Sequence, residues 1–262
     1  MPAGPTADRG ARGRTVLVTG LSGLIGGAVR EHLGAAYDFR GLNRRAVPGV
    51  PTHRADIADL DAIAPAFAGV DTVVHLAAVA GGAEPWERLL PANVVGVYNV
   101  FEASRRAGVR RVVFASSGAT ISGREREMPY SALVDGRHDQ AGAWAPLTHE
   151  SPLRPSGLYG ATKVFGEAVA RHYADAHGLS AICLRIGRVL ESDRPETTRD
   201  RAVWCSQRDV ARAIGLAIDA PDTVRFEVVF VTSRNRWGYR DLEHARRVLG
   251  FEPLDAAESD RR

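Results

Sequence analysis

The sequence predicts one α/β domain built on a doubly wound parallel sheet, and three observations point there. From Thr15 onward, short β-branched runs alternate with longer stretches of helical periodicity, the pattern of a parallel sheet covered by helices on both faces. The first run, Thr15 to Thr19, passes directly into Gly20-Leu-Ser-Gly23-Leu-Ile-Gly26 and then a helix, the strand-turn-helix context of a Rossmann-type fold. A chain of 262 residues, 45% hydrophobic and 25% charged, can bury a full core of that kind as a single domain.

Residues 1–13 read as a flexible polar tail without the apolar core of a signal peptide, and residues 14–262 as the domain. The first strand leads into a helix over Leu24 to Leu33. Gly20 permits the tight turn, Gly23 lets the backbone approach a pyrophosphate, and Gly26 lets the helix pack close to the strand. Ser22, Leu24 and Ile25 complete a turn whose N–H groups and helix dipole favour a dinucleotide phosphate. The second strand, Phe39 to Leu42, ends in Asn43, Arg44 and Arg45. NAD-binding chains usually present a carboxylate there to the adenosine ribose. Here no acid would repel a 2′-phosphate and two guanidiniums are at hand, so NADP is favoured over NAD. Asp56 and Ile57, one short segment later, are expected to flank the adenine.

A helix over Leu60 to Phe67 precedes a strand at Thr72 to Leu76, and a helix over Ala92 to Ala107 precedes one at Arg111 to Ser116. Arg105, Arg106, Arg110 and Arg111 surround that junction and read as a solvated helix end, since the net charge of +3 is modest and forms no long block. No nucleic-acid partner is expected. Gly118 to Pro155, rich in Gly, Pro and charge, is too long for an ordinary connection and reads as a lid or a surface excursion. A helix over Leu158 to His177 and a strand at Ala181 to Ile186 follow. The charged stretch Glu191 to Arg201 either closes over the same crevice or is mobile. A helix over Ser206 to Ile218, capped by Ser206, a strand at Val228 to Val231 and a helix over Tyr239 to Leu249 complete the domain. Residues 188–262 thus supply most of a small mixed substrate region.

Cys183 and Cys205 form neither a disulfide framework nor a metal cluster, and no His, Cys or carboxylate grouping has metal-ligand spacing. No apolar run is long enough to span a membrane. These features suit a cytoplasmic protein with no membrane partner and no metal.

Tyr159 and Lys163 lie one turn apart on one face of their helix. An ammonium beside a phenol lowers its pKa, which makes Tyr159 a candidate general base or acid, and the same lysine can hold a nicotinamide ribose. Ser117 and Ser116 end the preceding strand, and alternation is expected to send them to opposite faces.

The ordered set GLSGLIG, DIAD, HLAA, NVVGVYNV, FASS and YGATK, spanning Thr15 to Arg188, resembles the extended short-chain dehydrogenase/reductase family, also called the NAD-dependent epimerase/dehydratase family. The resemblance implies Gly20, Gly23 and Gly26 on the pyrophosphate, Asp56 near adenine, and Leu76, Ala77, Ala78 and Ile186 along the cofactor. It implies Asn93 as support for a proton relay, Ser117 as the hydroxyl that orients the substrate oxygen, and Tyr159 and Lys163 as the remaining catalytic pair. GVYNVFEASRRAG, RRVVFASS, GLYGATKVFGE and LRIG are most similar to the uronate dehydrogenases of that family. There an Asn-His pair follows the serine, whereas this chain has Gly118-Ala119. Substrate contacts are implied at Val79, Gly118, Ala119 and Arg185, although Arg185 reads equally well as a structural arginine.

About 75 residues follow Arg185, which points to a small sugar-like substrate rather than a nucleotide-sugar. The resulting expectation is oxidoreduction of a secondary alcohol, lactol or ketone. Its rivals are an epimerase, dehydratase or lyase that oxidises transiently, and a non-catalytic dinucleotide sensor. Pairing of the helices that carry Asn93 and Tyr159 in a four-helix bundle would make a homodimer, as the resemblance implies.

Overall fold

The computed structural model describes residues 13–81 and 84–258, so the expectation for residues 1–12 of the tail lies outside the described residues. Within them, β1 (Thr15–Thr19), β2 (Asp38–Asn43), β3 (Thr52–Arg54), β4 (Thr72–His75), β5 (Arg111–Ser117), β6 (Ser180–Ile186) and β7 (Phe226–Val231) form one sheet in the order β3-β2-β1-β4-β5-β6-β7. Every pairing is parallel. The helices are α1 (Leu24–Leu33), α2 (Leu60–Ile63), α3 (Trp86–Leu89), α4 (Gly96–Arg106), α5 (Tyr130–Asp135), α6 (His138–Ala141), α7 (Leu158–His177), α8 (Asp200–Val203), α9 (Gln207–Asp219) and α10 (Glu243–Leu249).

Strand side chains alternate between two buried layers. Val16 and Val18 pack with Val29 of α1 and with Val210 and Ile214 of α9, while Leu17 packs with Phe101 of α4 and Tyr173 of α7. Both faces are covered, so the strands carry apolar residues at consecutive positions. The strand order reverses between β1 and β4, which opens a crevice at their carboxyl ends.

Several elements differ from expectation. β3 is three residues, Thr-His-Arg, with no apolar run to announce it. The helix expected from Ala92 begins at Trp86 and passes through a wide π-type turn, Leu90–Val95, before α4. Pro91 lies in that turn and cannot donate to the helical ladder. The stretch 118–155, expected as a lid or a surface excursion, has secondary structure and apolar packing of its own. It contains α5 and α6, and Ile121, Leu133 and Leu147 share an apolar cluster with Val203, Phe230 and Tyr239 of the C-terminal region. The final helix starts at Glu243 because the backbone at Tyr239–Asp241 is tied to Leu147 by bonds of 2.7 and 2.9 Å.

Arg111 corrects the reading of a solvated basic junction. It is fully buried, and its guanidinium donates to the carbonyls of Ala217, Ala220 and Pro221 at the end of α9, with burial lowering its pKa to about 10. Arg105 and Arg106 share Glu102, and Arg110 pairs with Asp71 and Asp222. Ser206 caps α9 as expected, accepting from Asp209 N at 2.9 Å.

Candidate active site

A cleft of about 580 Å3 runs along the carboxyl ends of the central strands, from the glycine turn after β1 to Ser117, Tyr159, Lys163 and Arg240. Gly20 has φ +72°, and a Cβ there would lie 2.8 Å from the Ala77 backbone. A Cβ at Gly26 would lie 2.4 Å from the Leu21 carbonyl oxygen. The turn is therefore closed to larger residues at these two points. Gly23 caps α1 without a side-chain bond, and the first turn of α1 holds no acid, so its N–H groups are left for an anion. Gly23, Leu24, Ile25 and Gly26 all face the cleft, while Ser22 is exposed beside it. This cradle fits the pyrophosphate of a dinucleotide.

Asn43 is buried at the end of β2 with its Nδ2 unpartnered, and Arg44 and Arg45 are exposed just beyond. Asp56 turns its carboxylate onto Ala58 N at 3.0 Å, and Ile57 packs beneath Gly96. After β4, Leu76 and Ala77 are pinned to Thr19, and Leu76 and Ala78 line the cleft. Ala80 lines it too, whereas Val79 does not. Asn93 is the reason. Its Oδ1 accepts from Val79 N at 2.8 Å, and its Nδ2 donates to Val79 O at 2.9 Å and Thr162 Oγ1 at 3.2 Å. Thr162 in turn donates to Tyr159 O at 2.8 Å. The π-type turn thus sets Asn93 as a clamp between the β4 exit and the first turn of α7.

The Ser117 hydroxyl accepts from Ala119 N at 3.1 Å and lies beside the Tyr159 phenol in the cleft wall. Burial raises the Tyr159 pKa above its usual value, and the neighbouring Ser117 hydroxyl opposes that rise. Lys163 is buried, its Nζ donating to Ala115 O at 2.8 Å and lying 5.6 Å from the Tyr159 ring centre. Burial lowers its pKa to about 8. The expected lowering of the phenol by Lys163 is therefore not what governs Tyr159 here; desolvation is.

Along β5, Val112 and Phe114 pack in one layer and Val113 and Ala115 in the other, the alternation expected for Ser116 and Ser117. The Ser116 hydroxyl donates to Glu167 Oε1 of α7 at 2.5 Å, while Ser117 lines the cleft with Tyr159. Glu167 also receives Arg185 through two bonds of 2.9 Å, and Arg185 Nη1 donates to His149 O at 3.3 Å. Arg185 is absent from the cleft wall, since its donors are spent behind it.

The wall that faces Ser117 is basic and was missed residue by residue. Glu125, Arg188, Arg199 and Arg240 line it. Arg199 comes from the charged stretch 191–201, whose composition was the available signal that it could close on the crevice. Arg240 had no local signal in the sequence, where it stands in the stretch read as leading into the last helix.

The match to the family described as "NAD dependent epimerase/dehydratase family" covers residues 16–205. The chain is 33% identical to NAD-dependent glucose-6-phosphate dehydrogenase of Haloferax volcanii, over 92% of this chain and 93% of that protein. It is 34% identical to L-arabinose 1-dehydrogenase (NAD(P)(+)) of the same organism, over 92% and 96%. The crystal structure of uronate dehydrogenase from Agrobacterium tumefaciens superposes with a TM-score of 0.79 at 33% identity, over 95% of this chain and 88% of that one.

Proposed function

This chain belongs to the NAD-dependent epimerase/dehydratase family, and from that premise we propose that it is an NAD(P)-dependent oxidoreductase interconverting a secondary alcohol or lactol and its carbonyl in a small sugar-like substrate. One observation carries the reading: Ser117, Tyr159 and the buried Lys163 stand in the same cleft as the glycine turn. The dinucleotide, when bound, supplies the hydride acceptor. Tyr159 takes the proton from the substrate hydroxyl, and Ser117 holds that oxygen in place. Lys163 is an ammonium at neutral pH, and with one N–H committed to Ala115 O it keeps two donors for a ribose. Asn93 holds the β4 exit against α7 so that these groups keep their spacing. The sugar dehydrogenase names of the relatives support the substrate class.

The end of β2 favours NADP: it carries no carboxylate, and Arg44 and Arg45 are exposed beside Asn43. The buried thiols of Cys183 and Cys205 suit the cytoplasm. The experiment is calorimetric titration with NADP and NAD, followed by a panel of aldoses, uronates and aldose phosphates read at the NAD(P)H absorbance. Tighter NADP binding and net reduction with a panel member are expected. Binding without net reduction would replace this reading with transient oxidation, and binding of neither cofactor would overturn it.

The chain also presents an apolar face for a second copy. Leu90, Val95 and Tyr98 around the start of α4, and Leu158 and Phe165 of α7, are exposed. Pairing of these helices in a homodimer is expected to give a mass of about 56 kDa by sedimentation, twice 28.2 kDa; a monomeric mass would refute it.

A further inference from the structure

The basic wall of the cleft is only partly neutralised by the protein. Glu125 is its partly buried carboxylate, and both of its oxygens are taken by Arg199, through bonds of 2.6 and 2.8 Å, while the Tyr239 hydroxyl also donates to it at 2.5 Å. Arg240, with a side chain only 3% exposed, reaches no closer than 4.0 Å to Glu125. Its Nε and Nη1 have no hydrogen-bond partner, and the nearest compensation is the Tyr239 ring, 5.5 Å from Cζ. Buried guanidinium donors without acceptors are costly, and a planar fork of N–H groups matches the paired oxygens of an oxyanion. Arg188, the remaining arginine of the wall, is half-exposed and already faces Asp200 at 3.5 Å.

The position of that fork is set by a residue with no side chain. A Cβ at Gly118 would fall 2.2 Å from Arg240 Cζ and 2.3 Å from both terminal nitrogens. The guanidinium thus occupies the space that any other residue at 118 would fill, immediately after Ser117.

We infer that Arg240, seated over Gly118, is the specificity-determining anchor for an oxyanion of the substrate, a carboxylate or phosphate carried by the same small sugar that is oxidised at Ser117 and Tyr159. The inference rests on the dehydrogenase reading of the same cleft. Both groups offer the paired oxygens that the fork recognises, and D-glucuronate and glucose 6-phosphate separate the two sources.

The test compares kcat/KM for D-glucuronate and glucose 6-phosphate with that for D-glucose, in the wild type and in R240Q, R240K and G118A. The wild type is expected to prefer at least one anion by about 30- to 100-fold, the worth of a charged hydrogen-bonded contact. That preference should collapse in R240Q, through KM rather than kcat. R240K should restore part of it, because it keeps the charge without the fork. G118A, which leaves the arginine present but displaces it, should lower it in the same direction and covers the case in which R240Q does not fold. Equal handling of glucose and both anions by the wild type, or an anion preference intact in both R240Q and G118A, would overturn the inference. Calorimetry with D-glucuronate and with glucose 6-phosphate on the cofactor-loaded protein separates the two readings. If no compound reduces the cofactor, the dehydrogenase reading fails, while anion binding weakened in R240Q and G118A still supports the anchor. Absent or unaltered anion binding overturns the anchor on its own.

Discussion

Tyr159→Phe is expected to bind cofactor with wild-type affinity and to lose about 10³-fold in kcat. The substitution removes one oxygen from a residue whose fold contacts are made by its backbone, through Thr162, and by its ring, so the helix and the glycine turn should be undisturbed. What disappears is the group that takes the substrate proton. The pH dependence supplies a second readout. Burial holds the phenol above its usual pKa, so the phenolate fraction grows with every step of pH below that value. Oxidation by the wild type should therefore accelerate from neutral to alkaline pH, and the residual rate of the variant should lose that slope. Stopped-flow rates across pH, with cofactor binding measured in parallel, check both. Turnover in the variant within a few-fold of wild type would remove Tyr159 from the chemistry.

Glu167→Ala should be the most damaging substitution for stability, at about 3–5 kcal/mol. Glu167 and Arg185 are 8% and 3% exposed, joined by two bonds of 2.9 Å, and Ser116 donates to the same carboxylate. Removing the acid leaves a guanidinium and a hydroxyl buried without their acceptor. Arg185→Met alone should cost a comparable amount for the converse reason. The double variant Glu167→Leu with Arg185→Met should lose much less than the sum of the two, because an apolar pair has no desolvation penalty to offset. Urea unfolding of the three variants decides this. Losses below about 1 kcal/mol in both single variants would show that the pair does not brace the sheet against α7.

The outcome at Arg185 shows where reading residues along the chain stops. Its strand, its burial and its place before Gly187 were legible, but whether its guanidinium met solvent, ligand or carboxylate depended on Glu167, eighteen residues earlier on another element. Arg111 is the same case with the opposite expectation: a basic cluster in the sequence resolved into one fully buried arginine bonded to carbonyls of α9, and three paired at the surface. Stretch 118–155 had the composition of a loop because its apolar residues are few and spaced. They are sufficient only because Val203, Phe230 and Tyr239 meet them from the far end of the chain.

The sequence by itself determined the parallel sheet, the glycine turn and the order of the Ser117, Tyr159 and Lys163 positions. Each rests on local constraints: apolar periodicity selects strand or helix, a positive φ and close backbone approach demand glycine at 20, and one helical turn places Tyr159 beside Lys163. Only the tertiary structure decided which charges would be spent and which kept. Arg185 and Arg240 are both buried arginines on the C-terminal side of the site, yet one is neutralised by Glu167 and the other stands over Gly118 with two donors free. The physical reason is that a charge is satisfied by whatever lies within a few ångströms, and that neighbourhood is made by packing between elements distant in the chain.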